Sequence, residues 1–96
     1  MDEIRLDGRG WKTKEDFYHA FLAAVEAPDW HGRNLDALWD SIVTGGINRR
    51  ELPYRIVIGG CNYMSAEAAG MVDRFRVLIE EAARQGYAVG IRLDSD

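Results

Sequence analysis

The run Ile56-Val57-Ile58, led in by Tyr54 and closed by Gly59-Gly60, most limits what this chain can fold into. Successive β-branched residues bounded by turn formers read as a short buried strand. Two more strand patterns stand near the chain ends. Ile4 and Leu6 alternate with Arg5 and Asp7 before Gly8, and residues 87–93 alternate before a polar tail. Enough chain lies between consecutive strands for helical crossovers, so neighbours can run parallel, with right-handed connections strongly preferred. The expectation is an α/β fold on a mainly parallel three-stranded sheet, one domain over residues 1–96.

The connecting segments carry helical periods. Thr13 with Asp16 three residues on reads as a cap with an acidic first turn, and Phe17, Ala20, Phe21, Ala24 and Val25 follow at helical spacing. This predicts a helix over 14–26 that Ala27-Pro28 stops. Residues 48–53 read as a polar loop, and residues 61–69 as a short helix or turn that Ser65 can cap, with Gly70 as a joint. Met71, Val72, Phe75, Leu78, Ile79 and Ala82 predict a core-facing helix over 71–85, with Glu80 and Arg84 as an ion pair and Gly86 as its C-cap.

The stretch 30–42 is different in kind. Gly32 provides a turn and Asn34 an N-cap. Leu35, Leu38 and Ile42 make one apolar face of a helix over 34–43, which Gly45-Gly46 ends. Asp36 and Asp40 stack one turn apart on a second face that the helix does not need for folding. Asp36 suits the positive end of the helix dipole; Asp40 lies too far along to share it. The pair is either a solvated acidic face or a negative surface shown to a positive partner, with Trp30 and His31 at its edge.

Charge supports the second reading. Twelve Lys and Arg against sixteen Asp and Glu leave a net −4, which argues against nucleic-acid binding and favours a basic partner. The lone Cys61 cannot close an internal disulfide and points to a reducing compartment; its thiol is either reactive or a small filler. No signal peptide or membrane-spanning run is visible, so a cytosolic location is expected. The Gly59-Gly60 pair lacks the further glycines or lysine of a phosphate loop. Two histidines twelve apart offer no metal-ligand spacing, so neither metal nor cofactor is expected. A small metal-dependent hydrolase using His31, Asp36 and Asp40 is the one enzymatic alternative.

Gly32-Arg33-Asn34-Leu35-Asp36-Ala37-Leu38-Trp39-Asp40 resembles the most specific motif of the barstar family, small intracellular inhibitors of secreted bacterial ribonucleases. The likeness extends more loosely to the first strand and helix, Pro53, the last helix and the last strand. It implies a three-stranded parallel sheet with helices packed around it and no catalysis. It implies a basic extracellular microbial ribonuclease as partner, barnase-like or guanyl-specific, bound one to one. Asp40 matches the carboxylate that enters the phosphate site, and Asp36 its helical neighbour. Trp30 falls at a packing tyrosine, Trp39 at a helix tryptophan, Glu81 at a second contacting glutamate, and Gly32 and Asn34 at the start of the binding helix. Arg33 departs from an acidic position and His31 from an aromatic one, Ser41 and Tyr87 stand at two family cysteines, and the Gly45-Gly46-Ile47 loop has no tryptophan. An immunity protein on the same fold, directed at a different toxin, is the alternative within the binding class.

Overall fold

The computed structural model describes residues 1–96. Strand β1 (Asp2–Asp7), helix α1 (Lys14–Ala24), the short helix α2 (Leu35–Trp39), strand β2 (Tyr54–Gly59), helix α3 (Ala66–Arg84) and strand β3 (Val89–Leu93) follow in that order. The sheet runs β1-β2-β3 with both pairs parallel, as the strand spacing predicts. Ile4 aligns with Ile56 and Ile56 with Ile91, so period-two alternation brings their side chains to one face.

Helices α1 and α3 pack on β1 and β3 and against each other. Phe17, Phe21 and Phe75 meet between them, with Phe75 ring centroids 4.8 Å from Phe17 and 5.0 Å from Phe21. These rings are fully buried, and edge or tilted contacts at this distance add to the area they remove from water. Glu3, Arg5, Asp7, Arg55 and Arg92 line the opposite face. Glu3 accepts from Arg5 at 3.1 Å and Arg55 at 3.3 Å. Val57 lies in register between Arg5 and Arg92 and is only 2% exposed.

Several local expectations change. Helix α1 stops at Ala24, before Pro28 can act. Glu26 takes a left-handed φ of 54°, with Glu26 N–H donating to Ala23 O at 3.1 Å and Ala27 N–H to Leu22 O at 2.9 Å. This is a Schellman closure, made with glutamate where glycine is usual. Gly70 is no joint. Ser65 Oγ accepts from Ala68 N–H at 3.1 Å, and α3 runs unbroken from Ala66. A Cβ at Gly70 would meet only Arg74 Nη1 at 3.9 Å, so the position faces open space and a glycine merely weakens the helix. The Glu80–Arg84 pair does not form: Arg76 holds Glu80 at 2.6 Å and Arg84 holds Glu81 at 3.1 Å. The final strand starts at Val89, because Gly86 and the Tyr87 N–H bond to Ala82 O still belong to the end of α3. In the loop over 48–53, Asn48 is buried and its side-chain amide has no hydrogen-bond partner. No helix is long and apolar enough to cross a membrane.

A candidate partner-binding face

Asn34 caps α2 as its sequence position predicts. Its Oδ1 accepts from Ala37 N–H at 2.8 Å. A Cβ at Gly32 would lie 3.0 Å from Asn34 Nδ2 and 3.2 Å from Ala37 Cβ, so the glycine lets the loop close against the capped turn. Leu38 and Ile42 are buried and Leu35 half-buried, which turns the apolar side of the helix into the core. Asp36 and Asp40 are left exposed on the other side.

The helix does not continue as an α-helix to residue 43. After Trp39 it widens into a π-turn over Asp40–Thr44, closed by Gly45 N–H donating to Asp40 O at 3.1 Å. Ile42, Val43 and Thr44 are β-branched and weak helix formers. Gly45 follows at φ 80°, where a Cβ would come within 2.7 Å of Glu51 Oε1. Single π-turns of this kind recur within helices at functional sites. The Asp36–Asp40 step is unaffected, since Asp40 N–H still donates to Asp36 O.

The electrostatics set this face apart. Most carboxylates of the chain hold an arginine or a backbone N–H: Glu3, Asp7, Glu15, Glu26, Asp73, Glu80, Glu81 and Asp94 are ion-paired, and Asp16, Glu51 and Glu67 accept from backbone. Asp36 and Asp40 have neither, and share this only with Asp29 in the preceding loop and with Asp2 and Asp96 at the two ends of the chain. Arg33, the cation within the motif, reaches α1 and pairs with Glu15 at 2.9 Å, so its charge is neutralised there. Trp30 is 73% exposed beside these carboxylates in sequence, a large apolar ring with no cover.

The remaining motif residues fall elsewhere. His31 is not an edge contact: it is 7% exposed, with Nδ1 2.7 Å from Gly32 O and Nε2 2.9 Å from Ser41 Oγ. Neither nitrogen is engaged by Asp36 or Asp40, and no three His, Cys, Asp or Glu side chains converge as a metal-holding group. Trp39 is half-buried against the core. Glu81 is exposed on α3 and already accepts from Arg84 and from Gln85 Nε2. Cys61 is half-buried; burial and then the charge of Asp94 push its thiol up, away from the reactive thiolate. Ser41, 2% exposed behind this face, escaped sequence reading as a partner of His31. Its position three residues after Leu38, on the apolar side, was the available signal.

A family model described as "Barstar (barnase inhibitor)" matches residues 1–94. A Bacillus subtilis (strain 168) protein named "Putative ribonuclease inhibitor YrdF" is 31% identical over 85 residues, covering 88% of this chain and 89% of that one.

Proposed function

The chain belongs to the barstar family, a family of ribonuclease inhibitors and not of enzymes, and from that premise we propose how it inhibits and what it binds. The target is a basic ribonuclease of the secreted bacterial kind, barnase-like or guanyl-specific, held one to one. Inhibition is occlusion. Asp36 and Asp40 enter the cationic cleft where the enzyme holds RNA phosphates, pair with its Arg, Lys and His groups, and exclude substrate. Charge-assisted, bidentate Arg–carboxylate bonds supply strength, and complementary potentials speed encounter. The cytosol is the proposed place of action, where an escaped nuclease would do harm.

One observation carries this reading. The two carboxylates project from a rigidly capped helix and have no partner within the chain, while most other carboxylates do. The helix N-terminus favours Asp36, but the folded chain gains nothing from a second unpaired charge, Asp40, stacked one turn beyond it; a partner with a positive cleft does. Trp30 is the natural flat contact at the rim. Gly32 and Asn34 shape the entry to the helix, His31 and Trp39 support it from within, and Glu81 contributes from α3 once it leaves Arg84.

The test is titration calorimetry against a panel of barnase-like and guanyl-specific microbial ribonucleases at low and moderate salt. One-to-one binding, weakened by salt and by Asp40→Ala, is expected. Binding that ignores Asp40→Ala refutes the occlusion mechanism. Failure to bind any enzyme in the panel refutes the proposed target and turns the search to other toxins.

A further inference from the structure

We infer that His31 and Ser41 form a coupled positioning pair that locks the Trp30 loop to the carboxylate helix. The two residues are ten apart in sequence, 7% and 2% exposed, and their side chains meet at 2.9 Å. Each stands next to a residue of the proposed binding face: His31 follows Trp30, and Ser41 follows Asp40. A bond between them therefore holds the backbone one residue from the exposed ring and one residue from the leading carboxylate. The role in binding rests on the occlusion reading; the coupling itself does not.

Hydrogen counting shows why the pair behaves as a unit. Nδ1 of His31 faces the Gly32 carbonyl at 2.7 Å, which can only accept, so Nδ1 carries a proton. Ser41 has one hydroxyl proton and two acceptors within reach, His31 Nε2 at 2.9 Å and Leu38 O at 3.3 Å. With a neutral ring, Ser41 donates to Nε2. Both ring nitrogens and the hydroxyl are then paired, with Leu38 O as a second acceptor for Ser41. The charged and titratable groups around the nearby hollow are His19, Asp29 and Arg33, the last tied to Glu15.

The energetic signature is asymmetric. Removing the hydroxyl strands Nε2 of the buried ring in a low-dielectric site, whereas once the ring is Phe the hydroxyl serves only Leu38 O and its removal strands no ring nitrogen. The experiment is a double-variant cycle of His31→Phe, Ser41→Ala and the two combined. Urea unfolding of each is read first. Ser41→Ala is expected to lower the folding constant about tenfold in the wild-type background and much less beside His31→Phe, so the combined variant loses less than the product of the two. Losses that simply multiply overturn the coupling.

Two further readings separate positioning from plain structural support. In ¹H–¹⁵N spectra the Trp30 indole and Asp40 amide signals should shift or broaden in all three variants, including the combined one, while Ile56 in β2 stays put. Unmoved Trp30 and Asp40 signals in the combined variant overturn the positioning role. Against barnase as the probe, the combined variant should recover stability and still bind more weakly than wild type; binding that recovers along with stability also overturns it. If wild-type protein does not bind barnase, that result counts against the proposed target, since the unfolding cycle and the spectra need no partner.

Discussion

Replacing Asp40 by Asn should make the free protein more stable and the complex weaker, and the opposite signs are the point. Asp36 and Asp40 are one helical turn apart and exposed, and no cation of the chain lies within ion-pair reach of either. A like-charge pair at this spacing costs about 0.2–0.5 kcal/mol. Asp and Asn have similar helix propensity, so the substitution isolates the charge. Relief of about 0.5 kcal/mol raises the melting temperature of a chain of this size by about 2–4 °C. Asp36→Asn removes the same repulsion but also the favourable placement of Asp36 in the first turn, about 0.3–1 kcal/mol, so it should be neutral or destabilising. The assay is paired thermal and urea unfolding of wild type and both variants at neutral pH, in low salt and in 1 M salt. The Asp40→Asn gain should vanish at 1 M, where the screening length falls to about 3 Å. The same variant should bind a ribonuclease partner about 2–5 kcal/mol more weakly, thirtyfold or more. A destabilised Asp40→Asn would refute the reasoning, because it would mean the carboxylate already makes a favourable interaction in the free chain.

Other substitutions probe separate links. Trp30→Ala should change folding stability by less than about 0.5 kcal/mol, since the ring is 73% exposed, yet weaken binding by about 2 kcal/mol or more if the ring anchors the interface; unfolding and calorimetry on one preparation decide it. Glu26→Gly should stabilise by about 0.5 kcal/mol in urea unfolding, as left-handed strain outweighs the added freedom of the unfolded chain and an exposed ion pair to Arg49 at 3.9 Å. Asp16 accepts from the backbone N–H groups of Lys12 and Thr13, and these bonds hold its carboxyl below the ordinary 3.8. Its folded value is thus depressed, so its contribution is present above that ordinary value and lost as pH falls through the lower folded one. Asp16→Asn should accordingly narrow its stability deficit to wild type in unfolding curves taken below about pH 4; a deficit independent of pH would contradict the assignment.

What could be read before folding was what neighbours along the chain decide. The cap at Asn34, the paired step of Asp36 and Asp40, the aromatic stripe of α1 and the three strand patterns all depend on residues within a turn or two, where spacing alone dictates which groups meet. The candidate binding face is legible for the same reason: its two carboxylates sit on one short helix.

Tertiary structure decided the contacts between distant residues. Arg33 looked like a positive charge within an acidic face until Glu15 of α1 came within 2.9 Å. His31 looked like an edge contact until the fold set Ser41 against its ring. The start of α3 at Ala66 and the end of α1 at Ala24 were likewise set by packing and by closure of the chain at Glu26, which outweighed the punctuation of Gly70 and Pro28. Local preferences differ by only about a kilocalorie per mole, so a few buried side chains or one well-placed partner suffice to overrule them.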